Sequence, residues 1–415
     1  MQGLTMMKEK EETFEALEGL KVVDFGWAIA APVICWYLAT HGATVVRVET
    51  STRPDVYRVS APYKDNKPGL NRAGFFAYPN VNKLSIALNL NLPRGIEVAK
   101  QLVAWADVVV DNFRVGPMEK WGLGYEDLKK VKPDIIMVRT TNQGLTGPHN
   151  THPGWGWQLV GLSGISNLAG WPDREPLSFG MPYTDVIAPR FGVAALMAAL
   201  IHRKKTGKGQ LIDLSQLETA LQFISPAMLD YFVNQENDKR MGNASPDAAP
   251  HGVYRCKGEE RWCAITVFTE EEWKNFCVAI GHPKLSEDRK FATVSDRKQN
   301  EQELNQIVEA WTVQYPPEKV TEVMQAAKVP CGIVKNAEDV FSDEPLNQRN
   351  YFWTIDHIEM GPYAHMGQPF GLSETPARPR LPAPCLGEHN EYVCTKLLGM
   401  SDEEFLELLA MGLFE

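Results

Sequence analysis

The chain has 415 residues, of which 44% are hydrophobic and 23% are charged, and its net charge is −10. This length is beyond that at which a single hydrophobic core usually stops growing, so two domains are expected. The acidic balance argues against a nucleic-acid partner, which would need a basic face. It leaves room for an anionic small ligand, because a few placed Lys, Arg and backbone N–H groups decide such binding locally.

The N-terminal segment and the cysteines are typical of a cytoplasmic protein. Residues 1–20 are polar and acidic, so we predict no secretory signal and a frayed tail over the first dozen residues. No apolar run approaches the ~18 residues of a membrane-spanning helix, so no membrane partner is expected. The seven cysteines are scattered without a CxxC pair or a Cys/His cluster. Neither a disulfide framework nor a metal site is therefore predicted.

The first third of the chain alternates strand and helix. Strands are predicted over residues 20–26, 44–49, 107–113 and 134–140, and helices over about 31–41, 93–106 and 125–131. This βαβ order predicts an α/β fold with a Rossmann-like, doubly wound parallel sheet. The segment after the first strand is FGWAIAAP rather than GxGxxG, so no NAD or flavin cofactor is predicted. The crevice beyond the carboxyl ends of the strands is still the expected ligand site.

A single carboxylate, Asp185, stands in the apolar stretch GMPYTDVIAP, ahead of a long helix rich in small residues. Asp is a favoured N-cap residue, which gives a purely structural explanation. Proline is best tolerated at the first helical position, so Pro189 predicts Ala188 as the cap, with Asp185 about three residues outside the helix. From these residues alone, a solvated turn and a functional carboxylate are both open.

The character of the chain changes near residue 235. The polar segment NQENDKRMGNASPDAAP is typical of a linker, and HGVYRCKGEERWCAITVF predicts an antiparallel hairpin. Helices are predicted near 270–281, 299–313 and 317–328. We therefore expect a large domain over residues 15–234, a small α+β domain over 235–330, and a return to the large domain over 331–415.

Six blocks in the same order resemble the class III CoA-transferases, the CaiB/BaiF family, over about residues 15–400. The blocks are LEGLKVVDFGWAIAAP, ATHGATVVRVE, NKLSIALNLN, ADVVVDNFRVGPMEKWGLGYEDL, RKKTGKGQLIDLSQLE and GLSETPARPRLPAPCLGEHN. The resemblance implies a Rossmann-like domain built from both ends of the chain, a smaller middle domain, and two chains threaded through each other as an interlocked dimer. It also implies coenzyme A and acyl-CoA as substrates, without a metal, NAD or flavin.

The resemblance implies that the catalytic group is one aspartate, which falls on Asp185. Its carboxylate would attack the thioester carbonyl of a donor acyl-CoA, giving a mixed anhydride and CoA thiolate. The thiolate would then attack the aspartyl carbonyl, giving an aspartyl-CoA thioester and the free donor acid. The acceptor acid would repeat these steps in reverse, so that covalent catalysis divides one acyl transfer into easier steps. The oxyanions need aimed N–H donors, expected from glycine-containing loops that face Asp185.

The same resemblance implies a set of CoA-binding positions. They are Ile29, Ala30, Leu88, Asn91, Asn112, Phe113 and Lys120. Two positions depart from the family pattern, because Asn91 stands where the formyl-CoA:oxalate enzyme has a lysine and Thr50 stands at an arginine position. Arg47 or Arg53 is expected to compensate.

Two alternative functions are considered: a racemase of the same superfamily and a non-catalytic CoA-binding subunit. A 2-methylacyl-CoA racemase needs two bases, and Trp155 stands at the position of the racemase histidine, with His149 and His152 out of register. A CoA-binding subunit paired with an active paralogue would be expected to lack the aspartate, and Asp185 is present.

The acceptor acid is the least determined part of the prediction. The glycine run of formyl-CoA:oxalate enzymes is missing from RMGNASPDAAPHGVYRCKG, which favours a larger acid. Trp155 and Tyr183 are expected in its pocket. The resemblance favours succinyl-CoA as donor and (R)-2-benzylsuccinate, a compound of anaerobic aromatic degradation, as acceptor. Carnitine-, phenyllactate- and oxalate-type acceptors stay open, as does the choice between a homodimer and a heteromer with a paralogous subunit.

Overall fold

A computed structural model describes residues 15–178 and 180–415. The frayed tail predicted for the first dozen residues lies outside this range. The chain divides into two compact units. The larger contains the chain up to Ile165 together with Ser178–Leu229 and Leu346–Glu415, and the smaller contains Ser166–Leu177 and Asp230–Pro345.

The larger unit is built on a six-stranded sheet in the order β3-β2-β1-β4-β5-β6, with every neighbouring pair parallel. The strands are β1 (Lys21–Asp24), β2 (Thr44–Glu49), β3 (Lys83–Ala87), β4 (Val108–Asp111), β5 (Ile136–Thr141) and β6 (Leu211–Ser215). This order confirms the predicted doubly wound sheet, in which ligands bind beyond the carboxyl ends of the strands.

Strand β3 was not predicted, because its polar residues hide the strand pattern. Lys83 and Ser85 are fully buried, and each is paired inside the protein. Lys83 Nζ donates to Asp24 Oδ2 at 2.8 Å, and Ser85 Oγ donates to Glu49 Oε1 at 2.8 Å. Buried polar groups are tolerated when they are hydrogen-bonded, and here the partners lie on other strands.

Helices cover both faces of this sheet, as predicted. The helices of the first 235 residues, not all of which pack on the sheet, are α1 (Ala30–Thr40), α2 (Gly74–Ala77), α3 (Pro93–Trp105), α4 (Pro117–Lys120), α5 (Tyr125–Val131), α6 (Gly156–Leu162), α7 (Ile165–Leu168), α8 (Tyr183–Thr206), α9 (Gln216–Leu221) and α10 (Ser225–Asn234). Val23 packs with α3 in one core cluster, whereas Val22 packs with α1 and α8 in another. Successive strand residues point to opposite faces, so β1 feeds both cores.

Helix α8 begins earlier than predicted. Pro182 is its N-cap, so Asp185 lies in the first turn and Pro189 lies inside the helix. The prediction that Ala188 caps the helix and that Asp185 lies outside it is therefore wrong. A proline removes only the hydrogen bond to the residue four positions earlier, here the carbonyl of Asp185. The buried face around Ala188 and Leu196 packs in the core, and this packing keeps the helix continuous at Pro189.

By length and composition alone, α8 is apolar enough to cross a membrane, which corrects the expectation that no such run exists. Leu196 and Ala199 of this helix are fully buried in the core beside the sheet. Core helices can have the same length and apolar composition, and this packing favours a core helix over a membrane-spanning one.

The smaller unit contains an antiparallel sheet in the order β7-β8-β9. Its elements include β7 (His251–Arg255), β8 (Trp262–Thr266), α11 (Glu270–Ala279), α12 (Val294–Gln299), α13 (Glu301–Thr312), α14 (Pro317–Ala326), β9 (Cys331–Val334) and α15 (Ala337–Phe341). The predicted hairpin is confirmed. Strand β9 pairs with β8, so the small sheet continues past the predicted domain limit at residue 330.

The remaining elements are α16 (Glu344–Gln348), β10 (Phe352–His357), β11 (Gly361–Met366), a π-helical segment (Tyr392–Leu397) and α17 (Asp402–Ala410). Strands β10 and β11 form an antiparallel hairpin of their own. Val393 and Leu408 pack in the same core cluster as α3, so the C-terminal segment completes the larger unit.

Candidate active site

Two adjoining cavities lie beyond the carboxyl ends of the large sheet. The larger, of about 690 Å³, is lined by residues that follow β1 to β4, among them Leu88, Asn91 and Lys120. The smaller, of about 350 Å³, contains Asp185. Four residues line both cavities: Trp27, Arg53, Phe113 and Arg114. A long ligand could therefore occupy the two cavities together.

The loop between β1 and α1 forms one wall of the Asp185 cavity and is held by three side chains. Asp24 Oδ1 accepts from the Gly26 N–H at 2.8 Å, and Asp55 Oδ2 accepts from the Ala28 N–H at 2.9 Å. Asn112 accepts from the N–H of Trp27 and donates to its carbonyl, both at 2.8 Å. These bonds hold Ala28 at a left-handed φ of 57°. Position 28 therefore has a strained conformation that its surroundings enforce.

This loop brings several predicted CoA-binding residues to the cavity wall. Ile29 and Ala30 line the cavity at the start of α1 and are almost fully buried. Asn112 lines it as well, although both ends of its amide are already bonded to Trp27. We therefore assign Asn112 a part in holding the loop, which a residue-by-residue resemblance could not indicate.

Asp185 lies directly against Gly156, at the start of α6. A Cβ added at Gly156 would be 2.7 Å from Asp185 Oδ1 and 2.6 Å from Pro182 Cβ, so only glycine fits there. Within residues 15–178 and 180–415, the Asp185 carboxylate has no hydrogen bond or ion pair. Its burial raises its pKa from an ordinary value of 3.8 to about 7. Desolvation without a cationic partner favours the neutral acid in this way.

The basic residues around the larger cavity differ in their availability. Arg53 is exposed, and its guanidinium lies 5.3 Å from the centre of the Trp27 ring. Lys120 and Arg114 are exposed as well. Arg47 is fully buried and is bonded to Asp55, so it does not reach the cavity. Arg53 rather than Arg47 is therefore the arginine that could replace the one missing at position 50.

The two predicted pocket aromatics lie in different places. Trp155 is 58% exposed and lines the Asp185 cavity. Tyr183 packs edge-to-face on Phe223, with 6.0 Å between ring centres, and is not among the residues that line either cavity. Residues two positions apart on a helix point in different directions, which explains why Tyr183 and Asp185 separate.

Several residues of the Asp185 cavity were not predicted: Arg114, Thr141, Asn142, Asn150, His152 and Gln216. Thr141 ends β5 and Gln216 follows β6, and the rule that ligands bind beyond the carboxyl ends of strands could have indicated both. Tyr57 was also missed. It does not line the cavity, but burial, and then the negative charges of Asp185 and Asp55, raise the pKa of Tyr57 to about 12, so its phenol stays neutral.

Comparison with known proteins decides the family. The sequence model of CoA-transferase family III matches residues 17–390. This chain belongs to CoA-transferase family III. It is 30% identical over 394 residues to a succinyl-CoA–D-citramalate CoA-transferase of Chloroflexus aurantiacus, covering 95% of this chain and 97% of the relative. It is 32% identical to the β subunit of a succinyl-CoA–L-malate CoA-transferase of the same organism, covering 94% and 96%.

A solved structure agrees with this fold. A CaiB/BaiF family protein from Brucella suis superimposes with a TM-score of 0.85 at 30% identity, over 92% of this chain and 99% of that protein. The resemblance noted in the sequence is therefore confirmed, and so is the enzyme class. Among the residues described, no group of three or more His, Cys, Asp or Glu side chains is placed to hold a metal ion.

Proposed function

We propose that Asp185 is the nucleophile of this family III CoA-transferase and that it moves CoA from succinyl-CoA to a carboxylic acid. The observation that carries the proposal is the position of one partly buried carboxylate, without a cationic partner among the described residues, in a cavity continuous with a larger one that has basic residues at its rim. A carboxylate that is poorly solvated and unpaired is a stronger nucleophile than one held in an ion pair.

The proposed reaction is the one that the resemblance to class III CoA-transferases implies. The ionised Asp185 attacks the thioester carbonyl and expels CoA thiolate, which leaves an aspartyl–succinyl anhydride. CoA thiolate then attacks the aspartyl carbonyl and releases succinate, and the acceptor carboxylate repeats the sequence in reverse. Each step exchanges one acyl bond for another, so no proton or electron is left over. Gly154 and Gly156, which line the same cavity, let backbone approach the oxyanions closely.

The CoA portion is proposed to occupy the larger cavity. Arg53 and Lys120 supply positive charge for its phosphates, and Leu88 and Phe113 supply apolar surface. Asn91 and Arg114 line the same cavity, and Arg114 also lines the Asp185 cavity. This arrangement would lead the pantetheine arm along the shared residues to Asp185.

The acceptor is proposed to be a dicarboxylic acid. The relatives named above act on D-citramalate and L-malate, which both carry two carboxyl groups. (R)-2-Benzylsuccinate belongs to the same class, and Trp27, Phe113 and Trp155 in the Asp185 cavity would suit its phenyl ring. We therefore include (R)-2-benzylsuccinate as the aromatic acid among the acceptors to be tested with succinyl-CoA as donor.

The proposal is tested by trapping the activated aspartate. Wild-type enzyme incubated with succinyl-CoA and hydroxylamine should lose activity and carry a hydroxamate at Asp185, identified by peptide mass spectrometry. Asp185→Asn should fold, gain no adduct and lose more than about 10⁴-fold in transfer, a loss beyond that of a general base. Asp127→Asn, a change at a half-buried position of α5 whose side chain pairs with Lys130, should behave as wild type. Near-normal transfer by folded Asp185→Asn would refute the assignment.

Racemisation is a second candidate function, because His152 lines the same cavity as Asp185 and two bases are what a racemase needs. An enantiopure 2-methylacyl-CoA incubated with the enzyme in D₂O separates the two functions. Retention of the Cα proton is expected from a transferase. Deuterium incorporation at a rate comparable with CoA transfer would establish the racemase instead.

The assembly and location complete the proposal. The α and β subunits of the L-malate relatives support a heteromer with a paralogous subunit, and the interlocked homodimer is the alternative that the family resemblance implies. Helix α10 buries none of its residues, and Phe232 and Val233 are more than two-thirds exposed, as expected of a surface that a second chain covers. The protein is proposed to act in the cytoplasm. Sedimentation of a folded monomer at nanomolar concentration would refute the interlocked assembly.

A further inference from the structure

Two buried side chains of the Asp185 cavity have polar atoms without a partner. Gln216 is 5% exposed and Thr141 is 3% exposed, and both line the cavity. In the part of the chain that the structure describes, neither Gln216 Oε1 nor Thr141 Oγ1 has a hydrogen-bond partner. Most buried polar groups in folded proteins are paired, because an unpaired one is costly. Both atoms are covered by protein in this conformation, so a ligand in the cavity would become their partner once the two side chains turn toward it.

The sheet order places this pair on the acyl side of the site. The larger cavity is lined by residues that follow β3, β2, β1 and β4, whereas Thr141 ends β5 and Gln216 follows β6. Neighbouring strands are about 4.8 Å apart, so the carboxyl ends of β3 and β6 are separated by about 24 Å. A CoA ester that enters through the larger cavity and reaches Asp185 would leave its acyl group beside Thr141 and Gln216.

The chemistry of the pair matches a neutral hydroxyl group. A threonine hydroxyl both donates and accepts, and a glutamine amide offers one acceptor and two donors. The cavity residues at the ends of β5 and β6 are Thr141, Asn142 and Gln216, and none of them is charged. A buried carboxylate needs a charged partner, whereas a hydroxyl is satisfied by one donor and one acceptor of this kind.

We propose that Thr141 and Gln216 form a subsite for a hydroxyl group on the acid that accepts CoA. This inference rests on the proposed reaction at Asp185 and assigns it a preference for hydroxylated carboxylic acids as acceptors. The ligand hydroxyl donates to Gln216 Oε1 and accepts from the Thr141 hydroxyl. An acceptor acid without the hydroxyl leaves both protein groups unpaired, so it should be used less well than its hydroxylated counterpart.

The test compares two acceptors that differ by one hydroxyl. With succinyl-CoA as donor, kcat/KM is measured for glutarate and for each enantiomer of 2-hydroxyglutarate. Wild type should prefer at least one hydroxylated enantiomer by about 10–100-fold, the cost of leaving buried polar groups unpaired. Gln216→Met and Thr141→Val change volume little and should each reduce this preference about tenfold. Activity with glutarate should fall less than activity with the hydroxylated acid, and the thermal midpoint should not fall, because an unpaired buried polar atom has been removed.

The strand supplies a matched control. The Thr140 hydroxyl, one residue earlier on β5, is also buried and unpaired, but Thr140 is not a lining residue of the Asp185 cavity. Thr140→Val should therefore keep the full preference for the hydroxylated acid. Equal use of both acids by wild type, or an equal loss with both acids in the Gln216 and Thr141 variants, would overturn the subsite while leaving the transferase reaction intact. Failure to use any acid, together with no hydroxamate at Asp185, would overturn both.

Discussion

Two regions at the carboxyl edge of the large sheet treat buried carboxylates in opposite ways. The first, here called the ion-pair cluster, consists of Asp24, Arg47, Glu49, Asp55, Arg58 and Lys83, all of them buried. The second is the Asp185 cavity, whose carboxylate has no cationic partner among residues 15–178 and 180–415. Carboxylates are buried in both regions. A cationic partner, rather than burial, therefore distinguishes a structural carboxylate from one that is free to react.

The pKa values show this difference directly. Burial acts to raise the pKa of Glu49, but the charge and hydrogen bonds of Arg58, followed by the charge of Arg47, outweigh it and hold that pKa at about 2. Burial of Asp185 meets no opposing charge, and its pKa rises to about 7. The first carboxylate is always ionised at neutral pH, whereas the second can be protonated or ionised.

Breaking the ion-pair cluster should have the largest effect. Arg58 donates to both oxygens of Glu49, at 2.7 and 2.8 Å, and to the carbonyl of Pro384 at 3.0 Å. Arg58→Met leaves Glu49 buried with one cation fewer, so the free energy of unfolding in chemical denaturation should fall by about 3–5 kcal/mol. Lys130→Met, which breaks an exposed ion pair, is the control and should leave the midpoint almost unchanged. Equal, small losses in both variants would show that the cluster does not hold the fold.

Displacing Asp185 should affect activity more than stability. Gly156→Ala puts a Cβ within 2.7 Å of Asp185 Oδ1, so the carboxylate has to move. CoA transfer should fall by about 10²-fold, the loss typical of a reacting group misplaced by about 1 Å. Gly161→Ala in the same helix is the matched control, because its added Cβ would meet no heavy atom within 4 Å. Similar kinetics in the two variants would contradict the close contact between Gly156 and Asp185.

Removing the charge of Asp185 should stabilise the protein. The folded-state pKa of about 7 lies above the ordinary value of 3.8, so the unfolded chain loses its proton first and stability falls as pH rises between these values. Asp185→Asn should therefore be more stable than wild type by about 1–3 kcal/mol at pH 8, allowing for partial solvation, and the gain should disappear near pH 4. A favourable interaction with the dipole of α8 predicts the opposite sign, a loss of about 0.3–1 kcal/mol. Denaturation of both proteins at the two pH values distinguishes these outcomes.

The smallest effect is the pH dependence of the rate. Asp185 attacks as the carboxylate, so kcat/KM for succinyl-CoA should rise about tenfold per pH unit below about 7 and level off above it. The unfolding midpoint measured at each pH separates loss of the fold from loss of the nucleophile. A rate that is constant between pH 5.5 and 8 would show that the folded-state pKa of Asp185 is not raised.

The doubly wound sheet could be predicted from the sequence, whereas strand β3 and the start of α8 could not. Regular alternation of apolar strands and amphipathic helices was enough for the doubly wound sheet, because both patterns depend on local periodicity. Strand β3 was missed because Lys83 and Ser85 are buried through partners on distant strands. The start of α8 was misplaced because Pro189 is a local signal for a helix start, and packing of the helix in the core overrode it.

By itself, the sequence determined the fold class and the family, and it singled out Asp185, since chain order, motif order and a lone charge in an apolar stretch are all local properties. Only the tertiary structure decided what surrounds that carboxylate. Gly156, Thr141 and Gln216 come from the start of α6, the end of β5 and the start of α9, and the fold brings them to one cavity. Neither the missing cation that raises the Asp185 pKa nor the two unpaired polar atoms can be detected in a sequence, because whether a group is paired depends on its neighbours in space.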